Sequence, residues 1–379
     1  MSDRSTLGFG MIGSGFMGRT HAIALREVAT VFDGIRAPRL VSVADRDQEN
    51  AARAARELCF EQGTADWTEL LDDPAIDVVD ICSPNFLHYP MAKAALEAGK
   101  HVYCEKPLTL DVHEAAELAE LAGLANKGGV VHAVGLNYTT NPLVQTARDI
   151  VASGEIGEPV SFTGRYFEDY MASRDVPFSW RCERSLAGAG ALADLGSHLI
   201  NMLHFLLGRP KRLCGDCRTV IATRRDPASG RERAVENEDI ARAMMELESG
   251  LPATIEISRV ATGYKCGLQF EVFGTAGSIA FDQERMNELR LYAAGQDPAR
   301  AGYKTILAGP AHADYGRFCP APGHGLGIND LKVIEIRNLI RAIDGGEPFQ
   351  PDFDEGFQVQ KVMAAIEESS AGQAWVELD

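Results

Sequence analysis

The chain has 379 residues, of which 45% are hydrophobic and 24% are charged, and its net charge is −17. This length and composition can bury a substantial core and suggest two or three domains. The strongly acidic balance argues against nucleic acid or an anionic membrane surface as a partner. The sequence has no apolar run long enough to span a bilayer and no secretory hydrophobic segment at its start, so we expect a cytoplasmic protein.

The eight cysteines are scattered along the chain, and only Cys214 and Cys217 form a C-x-x-C pair. A zinc site needs a second such pair or nearby histidines, which this region lacks. We therefore expect reduced thiols and no metal site.

The first 136 residues alternate short apolar strands with helical patterns. Strands are predicted at LGFGMIG, LVSVAD, DVVDIC, HVYCE and GVVHAVGL, and helices at FMGRTHAIALREVA, QENAARAARELC, YPMAKAALEAG and DVHEAAELAELAGLA. Alternation of this kind, with strands buried on both faces, predicts an α/β domain with a doubly wound parallel sheet over residues 1–136.

The pattern changes from residue 137 onward. A helix at NPLVQTARDIVASG and a strand at PVSFTGRYFEDY precede a helix around GALADLGSHLIN. Strand-like runs follow at RLCGDCRTVIAT, EDIARAMMELES, LPATIEISRVA, LQFEVFGTAG and GSIAFD, then a loop over residues 297–329 and two closing helices, DLKVIEIRNLIRAIDGG and DEGFQVQKVMAAIEESSA. Consecutive strands predict an open, mainly antiparallel sheet, and thus an α+β domain over residues 137–379.

The turn after the first strand carries a glycine motif, G-x-G-x-x-G, formed by Gly13, Gly15 and Gly18, with Phe16 and Met17 inside it. The first glycine permits a tight turn, the second lets the backbone approach a pyrophosphate, and the third lets helix and strand pack closely. Since the motif opens the first strand–helix unit of an alternating domain, it indicates a dinucleotide site rather than a plain glycine-rich turn.

The second strand ends at Asp45, followed by Arg46. A carboxylate there can accept hydrogen bonds from the adenosine ribose hydroxyls, which favours NAD. Arg46 could instead bind a 2′-phosphate, so NADP use stays open, as does a simpler role for Asp45 as the cap of the next helix.

Two further strand ends carry polar residues. The segment CSPNFLH places Ser83, Pro84, Asn85 and His88 after the DVVDI strand, where a nicotinamide ribose would lie. His88 either contacts the cofactor or merely begins the next helix.

The segment CEKPLTL places Glu105 and Lys106 at the same predicted crevice edge, before a proline. A lysine in a desolvated site can polarise a hydroxyl and help hydride departure, and a cis Lys–Pro bond would aim it. A surface lysine is the simpler alternative.

In GALADLGSHLIN, Asp194 and His198 are four residues apart and would leave the same face of a helix. A carboxylate can orient an imidazole for proton transfer near neutral pH. The alternative is a helix amino terminus with a histidine satisfied in the core.

Taken together, the ordered set of G-x-G-x-x-G, SPNFLH, EKP and DLGSH resembles the glucose–fructose oxidoreductase and inositol dehydrogenase family (Gfo/Idh/MocA) over essentially the whole chain. The segments GFMGRTHA, TADWTELLDDPAIDVVDI, SWR and GHGLGINDLK are most similar to its anhydrosugar, sugar and inositol dehydrogenases. The resemblance implies an amino-terminal Rossmann domain and a carboxy-terminal domain used for substrate binding and oligomerisation, as a dimer or tetramer.

The resemblance also implies individual roles. Lys106 and His198 match the catalytic lysine and histidine, Asp194 matches the aspartate that holds substrate hydroxyls, and Glu105 is placed beside the nicotinamide. Where many relatives carry an arginine after NY, this chain has Thr139 and Thr140. Further substrate-binding candidates are Asn137, Tyr138, Trp180, Arg181 and His324.

These features predict an NAD-dependent dehydrogenase that oxidises a secondary hydroxyl of a sugar, a levoglucosan-like anhydrosugar or a cyclitol such as inositol, with the site between the two domains. Alternatives are an NADPH-dependent keto-sugar reductase, an NAD-dependent glycosidase and a non-catalytic NAD-binding regulator. Either Lys106 or His198 could be the base.

Overall fold

The computed structural model describes residues 5–378, which form two compact units. The first unit contains the residues up to Asn137 together with Gly327–Gln358, and the second contains Tyr138–Leu326 and the residues from Val359 onward. The chain first passes from the first unit to the second after Asn137, one residue beyond the predicted boundary at 136. The return of residues 327–358 to the first unit departs from the predicted single boundary, because α10 (Ile328–Ile343) packs against α1 (Phe16–Val31).

Strands and helices are numbered in chain order. The strands are β1 (Thr6–Ile12), β2 (Ala37–Ala44), β3 (Gln62–Thr64), β4 (Val78–Ile81), β5 (His101–Cys104), β6 (His132–Val134), β7 (Pro159–Phe167), β8 (Pro210–Arg218), β9 (Thr223–Arg225), β10 (Glu232–Ala234), β11 (Ile240–Leu247), β12 (Pro252–Ser258), β13 (Gly267–Gly274), β14 (Gly277–Asp282), β15 (Glu288–Ala293), β16 (Lys304–Leu307) and β17 (Val376–Glu377). The other helices are α2 (Gln48–Leu58), α3 (Glu69–Asp72), α4 (His88–Glu97), α5 (Val112–Asn126), α6 (Pro142–Ala152), α7 (Arg184–Ala187), α8 (Ser197–Leu207), α9 (Tyr315–Phe318) and α11 (Phe353–Gly372).

The first unit confirms the doubly wound prediction. Its six strands are all parallel, in the order β3-β2-β1-β4-β5-β6, the order of a dinucleotide-binding Rossmann sheet. The central strand β1 is buried from Leu7 to Ile12, as expected where helices cover both faces. In such a sheet, the carboxyl ends of β1, β2, β4 and β5 meet at one edge, so this edge gathers the motifs found in the sequence.

The second unit confirms the mainly antiparallel sheet. Its nine strands run in the order β16-β15-β14-β13-β7-β12-β11-β8-β17, and β7 with β12 is the parallel pair among them. Buried and exposed residues alternate along β7 and β11, so one face packs on the core while the other faces outward.

Short elements were missed by sequence patterns. The strand β3 and the helix α3 are too short to show a period, and β16 and α9 lie in the segment predicted as loop. The residue Asn329, predicted to end that loop, lies in the first turn of α10. Within residues 5–378, no helix has the length and apolar character needed to cross a membrane.

Candidate active site

The glycine loop between β1 and α1 is built for close approach of a ligand. Gly13 has a φ of +96°, and a β-carbon there would lie 2.6 Å from the Cys82 carbonyl oxygen. A β-carbon on Gly18 would lie 2.2 Å from the Gly13 oxygen, whereas one on Gly15 would have no atom within 4 Å. Packing therefore requires Gly13 and Gly18, and the open side of Gly15 leaves room where a pyrophosphate would approach.

The amino terminus of α1 has the features of a phosphate site. Its cap residue is Gly15, which supplies no side-chain cap to the first backbone N–H groups. Phe16 is 78% exposed at the first helical position, and Met17 is half-buried beside it. Backbone N–H groups and the positive end of the helix dipole suit an anionic diphosphate, so the residues present fit a dinucleotide cofactor.

Asp45 lies where β2 ends and is tied to the glycine loop. Its carboxylate accepts hydrogen bonds from the Ser14 hydroxyl and from the Arg46 backbone N–H, the latter at 2.7 Å. The cap of α2 is Asp47, so the alternative role of Asp45 as a helix cap is wrong. Arg46 is exposed and pairs with Asp47 at 3.4 Å, which leaves its proposed contact with a 2′-phosphate as a prediction.

His88 joins two loops at the edge of the first sheet. It begins α4 and is 1% exposed, with Nδ1 2.7 Å from the Pro107 carbonyl oxygen and Nε2 2.9 Å from that of Ser83. Burial lowers the pKa of His88, although both carbonyls favour a protonated ring. A neutral imidazole donates to one of these carbonyls and a protonated one to both, so His88 links the two loops, and its contact with the cofactor stays a prediction.

The loop that His88 supports carries Ser83, Pro84 and Asn85. The Ser83 hydroxyl is buried without a hydrogen-bond partner in the described structure, and Pro84 and Asn85 lead into the turn Asn85–Leu87. An orphaned hydroxyl at a strand end is a polar group that a bound ribose or amide would satisfy.

Lys106 is half-buried and is followed by a cis peptide bond to Pro107, as the sequence suggested. Its neighbour Glu105 faces the interior and is only 4% exposed. The Glu105 carboxylate accepts a hydrogen bond from His21 Nε2 at 2.9 Å and one from Lys332 Nζ at 2.8 Å. The expectation that Glu105 lies beside the nicotinamide stays a prediction; in the structure, the Glu105 carboxylate binds two buried cations.

These contacts belong to a buried group that we call the charged cluster: His21, Asp80, Glu105, Lys332 and Glu335. The Asp80 carboxylate accepts from His21 Nδ1 at 2.8 Å, and Lys332 Nζ also contacts Glu335 at 2.9 Å. Burial opposes every charge here, but Asp80 raises the pKa of His21 to about 9, while Lys332 and His21 hold the pKa of Glu105 well below its usual range.

Sequence patterns missed the cations of the charged cluster. His21 follows the glycine motif in a helix that is otherwise apolar on that face, and Lys332 interrupts the apolar period of α10. Among residues 5–378, His21, Asp80 and Cys82 are the group whose potential metal-ligand atoms lie within 4.8 Å of one another. Their mutual hydrogen bonds account for this proximity.

In the second unit, Asp194 lies in a wide π-helical turn (Leu192–Gly196) that runs into α8, where His198 lies. The predicted helix is present, but its first turn is wider than the α-helical turn assumed from the spacing. The Glu238 carboxylate accepts hydrogen bonds from the backbone N–H groups of Gly190 and Leu192, at 2.8 Å each, and so fixes the turn.

Aromatic hydroxyls surround this pair. Tyr170 donates its hydroxyl hydrogen to Asp194 Oδ2 at 2.7 Å. The His198 ring, 8% exposed, lies with its centroid 4.5 Å from that of Tyr138, and the hydroxyls of Tyr138 and Tyr166 are 3.0 Å apart. Tyr170 and Tyr166 were not among the residues predicted for the site.

The remaining residues predicted to bind the substrate lie in several different environments. Asn137 is buried at the end of the first segment of the first unit, and Thr139 and Thr140 are buried where the second unit begins. Trp180 is half-buried under the guanidinium of Arg181, with 4.5 Å between the Arg181 Cζ and the ring centroid.

His324 is exposed, and its backbone is anchored in two ways. Its N–H donates to the Tyr315 hydroxyl oxygen at 3.1 Å, and that hydroxyl donates to the His324 carbonyl. The loop is thus fixed while the imidazole faces outward.

Comparison with known proteins gives matches over the whole chain. Residues 7–135 match the family model described as oxidoreductase family, NAD-binding Rossmann fold, and residues 144–280 match the GFO/IDH/MocA C-terminal domain. Levoglucosan dehydrogenase of Pseudarthrobacter phenanthrenivorans is 36% identical, with 98% of each chain covered.

Solved structures of related oxidoreductases also match this chain over almost its full length. A structure of levoglucosan dehydrogenase in complex with NADH and levoglucosan has a TM-score of 0.94 at 36% identity, covering 98% of this chain and 99% of that one. An NAD binding oxidoreductase from Klebsiella pneumoniae has a TM-score of 0.93 at 42% identity, covering 99% of this chain and 100% of that one.

Proposed function

Since the chain belongs to the Gfo/Idh/MocA family of oxidoreductases with an NAD-binding Rossmann domain, we propose that it oxidises a secondary hydroxyl of a cyclic polyol. The substrate class is a pyranose, a levoglucosan-like anhydrosugar or a cyclitol, and NAD is the hydride acceptor. The protein is thus an oxidoreductase of the sugar and inositol dehydrogenase kind, and the proposal concerns its substrate and residues.

One observation carries this proposal: Asp194 and His198 lie one turn apart, in a chain similar to levoglucosan dehydrogenase along its full length. The Asp194 carboxylate suits a ring hydroxyl, because ionised carboxylates are strong acceptors. An imidazole can take the proton that the alcohol loses.

The glycine loop, Asp45, Ser83 and Asn85 would hold the cofactor, whose nicotinamide accepts the hydride when NAD is bound. His198 removes the hydroxyl proton, and Lys106 stabilises the developing alkoxide with its positive charge. The reverse assignment gives Lys106 the proton. Asn137, Tyr138, Trp180, Arg181 and His324 remain proposed substrate contacts.

The first experiment measures NADH and NADPH formation with levoglucosan, myo-inositol, scyllo-inositol, glucose, galactose and xylose. Turnover with NAD and one ring class is the expected result. Binding of NAD without turnover of any ring would contradict the proposed substrate class, and net NADH formation would contradict a glycosidase or a regulator.

His198→Ala tests the base. We expect kcat to fall on the order of 10²-fold or more while the Kd for NAD stays unchanged, because general base catalysis is lost but cofactor contacts are not. His204→Ala is the matched control, since His204 lies on the same helix and is only half-buried. Unchanged kcat in His198→Ala would transfer the base role to Lys106.

A keto-sugar reductase using NADPH is the second candidate, and the observation that favours it is the exposed Arg46 beside Asp45. Arg46→Ala should weaken NADPH binding and leave NADH binding unchanged if the arginine reads a 2′-phosphate. Equal effects on both cofactors would exclude that role.

A further inference from the structure

We propose that Tyr170 is a positioning residue for substrate recognition, which holds the Asp194 carboxylate ionised and oriented toward a ring hydroxyl. This inference rests on the proposed function, because it assigns a role at the same site. It concerns a residue that neither the family motifs nor the four-residue spacing of Asp194 and His198 identify.

The contact itself is short and directional. The Tyr170 hydroxyl donates to Asp194 Oδ2 at 2.7 Å, a distance typical of a charge-assisted hydrogen bond. Burial and the negative charge of Asp194 raise the pKa of Tyr170 well above its usual value. Tyr170 therefore stays protonated at neutral pH and always acts as the donor in this pair.

The tyrosine ring is held by an apolar cluster. Tyr170 packs with a buried group formed by Met171, Phe178, Cys182 and Val235. Such packing limits the rotation of the ring, so the hydroxyl has little freedom to leave Asp194.

The loop behind the ring is built around a buried guanidinium. Arg224 is fully buried and donates hydrogen bonds to the carbonyl oxygens of Met171, Ser173 and Val176, those to Ser173 and Val176 at 2.9 and 3.1 Å. The Met171 N–H is bound in turn by the carbonyl of Arg259, at 3.1 Å. One cation thus fixes three backbone positions in the loop that starts directly after Tyr170.

The carboxylate has a separate anchor. Asp194 lies in the π-helical turn that Glu238 fixes through the Gly190 and Leu192 N–H groups. Because donor and acceptor are each held by buried polar contacts, their hydrogen bond is preorganised before any substrate binds. Preorganised polar groups lose little entropy when they engage a ligand.

The chemistry of polyol binding explains the use of a hydrogen bond from Tyr170 to Asp194. A carboxylate that accepts from ring hydroxyls must be ionised, and a hydrogen bond to the ionised form favours it. The phenol also occupies one acceptor direction of Oδ2, which restricts how a hydroxyl can approach the carboxylate. Substrates whose ring hydroxyl matches the remaining directions should bind best.

The test is Tyr170→Phe, which removes the hydroxyl and keeps the ring. We expect kcat/KM for the polyol to fall about ten-fold, mainly through KM, because a hydrogen bond to a charged group is lost. The acid limb of the pH profile of kcat/KM should move to higher pH, and the KM for NAD should stay unchanged. A merely structural role would lower the melting temperature and leave the pH profile in place, which would overturn the inference.

Tyr89→Phe is the matched control. Tyr89 donates its hydroxyl to the Glu117 carboxylate at 2.6 Å, the same chemical pair on an exposed surface of the first unit. We expect it to leave kcat/KM and the pH profile unchanged.

A double-mutant cycle separates positioning from independent effects. In the Asp194→Asn background, Tyr170→Phe should change kcat/KM by less than about two-fold, since the charge that it supports is gone. A full ten-fold loss in that background would overturn the inference.

If the wild-type protein oxidises no cyclic polyol, the proposed function fails, and crystal structures of the wild type and Tyr170→Phe still test the inference. We expect the Asp194 carboxylate to rotate in the variant. An unchanged carboxylate orientation would overturn the positioning role regardless of substrate.

Discussion

The two units bury charge in different ways. In the first unit, the charged cluster pairs side chain with side chain: His21 with Asp80 and Glu105, and Lys332 with Glu105 and Glu335. The second unit also has one buried ion pair, Arg259 with Asp239, but its buried charges bind backbone groups as well, and Asp239 accepts from two backbone N–H groups. Arg224 binds three carbonyls and Glu238 binds two N–H groups.

The difference shows two ways of fixing a polar site. Ion pairs in the first unit fix protonation states at the ends of parallel strands, where the sheet already fixes the backbone. Charges in the second unit fix the backbone of irregular segments, where no sheet or helix does so. We therefore expect variants in the first unit to change global stability and its pH dependence, and variants in the second to act on loops first.

The largest effect is expected for Lys332→Met, which leaves Glu335 buried without its cation and leaves Glu105 with His21 alone. We expect the free energy of unfolding to fall by about 4 kcal/mol, because breaking one side of a buried ion pair leaves an uncompensated charge. Urea denaturation measures it. Arg39→Met is the control, since Arg39 pairs with Glu61 on the surface and its loss should leave the midpoint unchanged.

Arg224→Met should cost about 3 kcal/mol, because three buried carbonyl oxygens lose their donor. Limited proteolysis should then cut within residues 171–176 before the rest of the chain. Arg225→Met, at the next position and exposed, should do neither. Global unfolding without preferential cleavage would mean that both units respond to charge loss in the same way.

The pH dependence of stability tests the first unit alone. Because the folded-state pKa of His21 is raised from 6.5 to about 9, its contribution is fully present below pH 6.5 and is lost as the pH rises toward 9. We expect the free energy of unfolding to drop by about 2 to 3 kcal/mol across this window. Urea midpoints at intervals from pH 6 to 9.5 measure the drop, and His21→Gln should abolish it. An equal drop in that variant would place the responsible group elsewhere.

The smallest effect on stability is expected for Gly15→Ala. Gly15 lies in the glycine loop, outside the charged cluster of the first unit and the buried charges of the second. Its β-carbon meets no atom within 4 Å, so the free energy of unfolding should change by less than about 1 kcal/mol. NAD affinity should still fall about ten-fold or more, because the methyl group occupies the pyrophosphate approach. Gly18→Ala should instead destabilise the fold, since its β-carbon would meet the Gly13 oxygen at 2.2 Å. Calorimetric NAD titration and urea melts distinguish the two.

Much of the fold follows from local patterns. The alternation of strands and helices, the glycine motif after β1 and the series of strands in the second half are written in the periodicity of consecutive residues. Such patterns predict which segments form and where a dinucleotide would bind, because backbone turns and helix termini depend on near neighbours.

The tertiary structure alone decided which residues meet. Lys332 contacts Glu105 across 227 positions, Tyr170 reaches Asp194 across 24, and the segment 327–358 returns to the first unit. In the folded structure, the Glu105 side chain also faces the interior, and the two ring nitrogens of His88 lie within hydrogen-bond distance of the Pro107 and Ser83 carbonyl oxygens. Sequence alone determined the elements and their motifs because these depend on local spacing. It could not determine which buried charges pair, because a charge pairs with whatever group packing brings near it, however distant along the chain.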